Sequence, residues 1–252
     1  MVSLVYFFSL VSLFMCISSH NFLWLCLSLE LNLYCVLVLI LFWNDNHANP
    51  QIISYFVVNI LSSLFLYLSI ISQIYILFVL GLFLKMGFFP FPWWLISVLS
   101  NLKWYGFFLI NVVQKVVPIF ICIHSGGLHN VFFFLVFFLS YFISLIEMNN
   151  SSNRFIVFLG WSSVSVVSLV LFLGVFVSFI TALVYFIIYS FLLFMVSVEN
   201  NNIFNLLLLF SLGGFPPFLG FSLKSVFFLS LSSVNALLLN SCIFFVFFIF
   251  IG

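Results

Sequence analysis

Charge is what this sequence has least of. Of 252 residues, five are Lys or Arg and four are Asp or Glu, 4% in all, leaving a formal net charge of +1. An ordinary soluble domain carries about 25% charged residues, so the chain is a membrane protein and not a soluble enzyme. It has no basic patch, which removes nucleic acid as a partner. No C-x-x-C spacing is present: Cys16, Cys26, Cys35, Cys122 and Cys242 stand singly in apolar runs and read as packing residues. No phosphate loop, nucleophile and base set or metal cluster occurs, so the chain itself offers no chemistry beyond proton transfer, and no bound cofactor is expected. The apolar start "MVSLVYFFSLVSLFMCISS" lacks the positive n-region of a signal peptide, and more spans follow at once. Thr181 is the only threonine against forty-one phenylalanines, a bias that suits codon supply in a small AT-rich genome better than any packing need.

What is present is hydrocarbon. Hydrophobic residues make up 67% of the chain and mean hydropathy is +1.46. Runs such as "VFFFLVFFLSYFISLI" never alternate as a membrane strand would, and a helix satisfies its own backbone in lipid. At about 20 residues per crossing, the chain has room for roughly ten spans and no separate extramembrane domain. The expected fold is all-α: one polytopic transmembrane bundle over residues 1–252. Polar punctuation places spans near 2–19, 22–43, 52–72, 74–98, 104–123, 129–148, 154–173, 175–198, 203–231 and 233–251. Asp45, Lys103, Glu147, Arg154 and Glu199 then share one side, which the positive-inside rule turns inward. Trp24, Trp43, Trp93, Trp94 and Trp104 near span ends fit interfacial anchoring, and Trp161 fits it less well.

The remaining charges are Glu30, Lys85, Lys115 and Lys224, each well inside a span. An ionised group at a helix centre costs about 2.5–3.5 kcal/mol to insert. Each lies about 8–12 residues from the nearest span end, roughly 12–18 Å, which is farther than a lysine stem reaches. A buried polar path accounts for them; a static Glu–Lys pair that fixes helix packing is the bland alternative. Burial disfavours a charged lysine and a nearby carboxylate restores it, so such groups can exchange protons near neutral pH. The helices around them are interrupted. Pro118 in "NVVQKVVPIF" lacks the N–H that the Gln114 carbonyl would bond. Gly87, Pro90 and Pro92 interrupt "KMGFFPFPWW", while Gly213, Gly214, Pro216 and Pro217 interrupt "GGFPPF". Two discontinuous helices, one toward each half of the chain, point to inverted repeats with sites at the midplane.

"SLELNLY" around Glu30, "KMGFFPFPWW" from Lys85, "VVQKVVP" up to Pro118, "RFIVFLGWSSVS" from Arg154 and "SLGGFPPFLGFSLK" up to Lys224 resemble, in order, the NADH–ubiquinone oxidoreductase chain 2 family. Those are mitochondrially encoded, antiporter-like membrane subunits of respiratory complex I. The resemblance implies a multi-pass protein of the mitochondrial inner membrane and a part in redox-driven proton translocation. Glu30 matches the family's membrane glutamate, Lys85 the lysine that pairs with it, Lys115 the central relay lysine, and Lys224 the lysine of the second broken helix. It implies that NADH, FMN, iron–sulfur clusters and ubiquinone are bound by or with partner subunits. Those partners include neighbouring antiporter-like subunits, beside membrane lipid. Pro92 stands where the family has a histidine, so any proton role of that group is absent or moved. The amino end looks like the short animal-type form, and the last span of the family is expected to be missing. The competing readings are a free-standing cation/proton antiporter and a structural subunit with a vestigial relay.

Overall fold

The computed structural model describes residues 2–19, 21–43, 50–125, 131–151, 155–176, 178–198 and 211–212. Among these the architecture is all-α and contains no strand. Five stretches are long and apolar enough to cross a membrane: Leu23–Phe42, Ile52–Ser72, Trp104–His124, Phe155–Phe176 and Phe179–Val196. Leu4–Cys16, Tyr75–Met86 and Leu135–Asn150 are shorter apolar helices. The chain divides into two compact units, Met1–Ser125 and Gly126–Gly252.

The first unit holds α1 (Val2–Ser18), α2 (Phe22–Trp43), α3 (Pro50–Ser72), α4 (Tyr75–Met86), α5 (Pro92–Leu99), α6 (Trp104–Phe108) and α7 (Gln114–His124). A π-helical turn, Leu109–Val113, links α6 to α7. α2 packs on α1 and α3, α3 on α4 and α5, and α7 on α1, α2 and α4. The α3–α4 approach is close because Gly81 has no side chain: a Cβ there would stand 2.9 Å from the Ser62 carbonyl oxygen.

The break expected at "GFFPFP" is present, and its chemistry is legible. Gly87 caps α4 at φ 64°, a left-handed conformation that favours glycine. The Gly87 N–H donates to the Leu84 carbonyl at 3.2 Å and the Phe88 N–H to the Phe83 carbonyl at 2.9 Å, closing the last turn in a Schellman motif. Pro90 lies in the following turn, and Pro92 opens α5, where a missing N–H removes nothing the helix needs. Pro118 behaves differently from expectation. α7 runs through it without ending, and the departure from α geometry falls one turn earlier, at Leu109–Val113. The physical reason is the proline ring, which crowds the carbonyl four residues back. That residue, Gln114, is where the wider turn closes, its N–H donating to the Leu109 carbonyl.

In the second unit α9 (Phe155–Phe176) packs against both α8 (Val131–Asn150) and α10 (Phe179–Val198). α9 is buried almost throughout, including Trp161, which therefore is no interfacial anchor. The expected boundary at Gly174 is displaced. A glycine alone does not stop a helix, and α9 continues to Phe176. The stop is set instead by Ser178: its N–H donates to the Leu173 carbonyl at 2.9 Å, and its Oγ accepts from the Thr181 N–H at 3.3 Å to start α10. On α10 the exposed stripe is Ile180, Val184, Ile187, Phe191 and Phe194, while Tyr185 and Tyr189 are buried. Apolar residues outside and hydroxyls inside is the polarity of a lipid-facing helix.

The eight segments expected between residues 2 and 198 all appear as helix, with ends moved by a few residues. The expected spans 203–231 and 233–251 lie outside the described residues apart from Ser211 and Leu212.

Candidate functional site

Buried polar groups gather in the first unit. Lys85 sits in the last turn of α4, only 7% exposed, at the end of the helix whose dipole favours a cation. Its Nζ makes no hydrogen bond. The ionisable groups nearest it are Cys26 and Glu30 on α2 and Cys16 on α1, of which Glu30 carries the charge. Glu30 is half-buried and approaches Lys85 through space without a direct ion pair. Tyr67 on α3 directs its hydroxyl at the Glu30 carboxylate. The arrangement therefore brings Glu30 and Lys85 together, with a phenol as a further neighbour of the acid.

Lys115 occupies the first turn of α7 and is 2% exposed. Its helix α7 packs against α4, which carries Lys85. Its own helix supplies buried Gln114, and the π turn supplies Asn111 at 0% exposure. A π turn rotates the residues around it relative to a regular helix, and such turns recur at functional sites. On α3, Tyr55 lies against the Gln114 side chain and its ring is 6.3 Å from Trp94 of α5. Asn59, one turn along α3, donates from Nδ2 to the Tyr55 carbonyl at 2.8 Å. The Tyr55 hydroxyl, Asn59 Oδ1, Trp94 Nε1 and, on α2, Asn32 Oδ1 are buried without a hydrogen bond. An unmade hydrogen bond on a buried group costs about 1–3 kcal/mol. Buried groups left in this state are ones that internal water could satisfy.

Of the residues singled out in the sequence, Glu30, Lys85 and Lys115 fall in this core, Gly87 and Pro90 form the helix break, and Pro118 lies inside α7. Lys224, Gly213, Gly214, Pro216 and Pro217 lie outside the described residues. Asn32, Tyr55, Asn59, Tyr67 and Asn111 join the site only in the structure. Each is a polar residue inside an apolar span, a weaker sequence signal than a full charge. Among the described residues no group of His, Cys, Asp and Glu could hold a metal ion, and Cys16, Cys26, Cys35 and Cys122 are free thiols. His124 is exposed, stacked on Phe120, with Nδ1 3.1 Å from the Phe120 carbonyl.

No protein-family model matches the chain. Individual relatives do. The NADH-ubiquinone oxidoreductase chain 2 of Artemia franciscana is 29% identical over 252 residues, covering 90% of this chain and 80% of the relative. The protein of the same name from Myxine glutinosa is 29% identical over 271 residues, covering 90% and 73%. That of Anopheles gambiae is 30% identical over 260 residues, covering 88% of this chain and 74% of its own length. With that identity sustained across apolar helices that suit a membrane, the chain belongs to the NADH-ubiquinone oxidoreductase chain 2 family and is a multi-pass membrane subunit of respiratory complex I.

Proposed function

We propose that this subunit translocates protons across the mitochondrial inner membrane, coupled to NADH oxidation and ubiquinone reduction, through a relay of Glu30, Lys85, Lys115 and Lys224. The observation that carries the proposal is Lys85: a buried ammonium group with no hydrogen bond, at the end of a broken helix, under the influence of one carboxylate. A residue kept for stability would be paired, because breaking or omitting a buried pair is strongly unfavourable. One kept for proton transfer has to be able to give its proton up. The steps are simple in balance: each lysine receives a proton from the group or water before it and releases one to the group after it, returning to its starting state.

In this reading residues 1–252 form one antiporter-like domain of about ten spans with inverted repeats, the second broken helix lying at Gly213, Gly214, Pro216 and Pro217. Electrons do not enter the chain. NADH, FMN, the iron–sulfur clusters and ubiquinone belong to partner subunits, and the lateral neighbours are other antiporter-like membrane subunits and lipid. The helix break at Gly87 supports the repeat architecture, and the buried polar groups around Lys115 support a hydrated route.

The test is Lys115→Ala in assembled complex I. Proton pumping is expected to fall by roughly a hundredfold or more, the scale at which a lost proton-transfer group acts, while the amount of complex on a native gel falls far less. Loss of assembly with normal pumping by the residual complex would overturn the proposal.

A further inference from the structure

The second unit buries no lysine or carboxylate among its described residues, yet its interior is not dry in character. Tyr141 on α8 and Tyr185 and Tyr189 on α10 are all buried, as are Ser162 and Ser163 of α9. Tyr185 lies near both Tyr141 and Tyr189. Tyr189, 3% exposed, lies against Ser162 and Ser163, but its hydroxyl has no well-formed hydrogen bond. The two serines have already spent their protons: Ser162 Oγ donates to the Leu159 carbonyl at 2.7 Å and Ser163 Oγ to the Gly160 carbonyl at 2.6 Å. What they turn toward Tyr189 is therefore acceptor lone pairs.

Hydroxyls at helix contacts often act only as glue, bonding directly across the interface. That role predicts a made bond at Tyr189, and none is made. A water molecule needs two to four polar partners, and the Tyr189 hydroxyl with the Ser162 and Ser163 lone pairs is a set of that size.

We propose that Tyr141, Tyr185 and Tyr189, with Ser162 and Ser163, hold internal water that passes protons along the α8–α9–α10 seam, as positioning residues of the translocation route. The inference rests on the proton-translocating reading above. No tyrosine ionises in the step. A proton enters the water chain at one end, each water accepts one proton as it releases another while the hydroxyls hold the waters in line, and a proton leaves at the far end, so the seam ends with its atoms and charge unchanged.

The experiment measures protons moved per NADH oxidised in membranes containing assembled complex, for Tyr189→Phe beside Lys115→Ala. Tyr189→Phe keeps the ring and its packing and removes only the hydroxyl. The expected result is retained NADH-to-ubiquinone electron transfer with a loss in protons per NADH and an altered solvent deuterium isotope effect, neither of which a packing role would move. An unchanged ratio in Tyr189→Phe with a lowered one in Lys115→Ala overturns this inference alone. An unchanged ratio in both overturns the relay reading beneath it as well. Should Tyr189→Phe fail to assemble, a high-resolution map of the unaltered complex decides: ordered water among the three tyrosine hydroxyls supports the seam, and a dry contact there overturns it.

Discussion

The two units bury polar groups of different kinds, and their helices differ accordingly. In Met1–Ser125 the buried groups include Lys85 and Lys115, and the helices that carry them are irregular: α4 stops at a left-handed glycine, and a π turn precedes α7. In the described part of Gly126–Gly252 the buried groups are hydroxyls, and α8, α9 and α10 carry them without interruption. The physical reason lies in what each group needs. A serine satisfies itself within its own helix: Ser140, Ser144, Ser162, Ser163, Ser165 and Ser168 all donate to the carbonyl three residues back, at 2.6–2.8 Å. An ammonium group finds nothing comparable on a regular helix and requires a helix end, a carboxylate or water. Irregular backbone at membrane depth is tolerated where it is buried in protein or lines a wet cavity.

The largest way to break the comparison is to deny the first unit its irregular backbone. In Gly87→Val the new Cβ would stand 2.7 Å from the Leu95 Cβ, at a φ that β-branched residues avoid. Strain and overpacking together come to about 3 kcal/mol or more, so the complex is expected to vanish from native gels. A smaller effect sharpens the charge side. Glu30→Gln removes the anion acting on Lys85 but breaks no ion pair, so assembly is expected to hold while proton-coupled turnover drops roughly tenfold. Normal turnover in that variant would detach Glu30 from the relay. The smallest effect belongs to the second unit. Ser168→Ala deletes a hydroxyl bonded only to its own helix, at 2.6 Å from the Ser165 carbonyl, and is expected to shift thermal stability of the complex by no more than about 1 kcal/mol. A large loss there would mean the serine stripe on α9 does more than satisfy itself.

Much of this was legible in the sequence, for reasons that particular residues show. Helices could be placed because hydrocarbon admits little else, and the α4 break was readable because glycine and proline act locally. Lys85 and Lys115 stood out because nine formally charged residues in 252 leave few places to look. The π turn was not legible: Pro118 announces a disturbance, but whether the chain answers with a kink, a stop or a wider turn upstream depends on what packs around it. The α9–α10 boundary was misplaced at Gly174 because the stop is written in the Ser178 and Thr181 hydroxyls, which look like ordinary helix polar residues until their bonds are seen. The approach of Tyr67 to Glu30, like that of Tyr189 to Ser162 and Ser163, joins separate helices and has no local signature at all. Family membership displaces the free-standing antiporter as a reading, since the relatives are complex I subunits by name.

The most direct test of the central claim, that the first unit keeps its buried charge for proton transfer and not for stability, is the proton-to-NADH ratio of complex carrying Lys85→Met. Methionine fills similar space without the ammonium group, removes the cost of burying that charge, and breaks no hydrogen bond because Lys85 Nζ makes none. The expected result is complex that assembles, melts at the same temperature or higher, and moves fewer protons per NADH. Complex that assembles and pumps at the unaltered ratio would contradict the account.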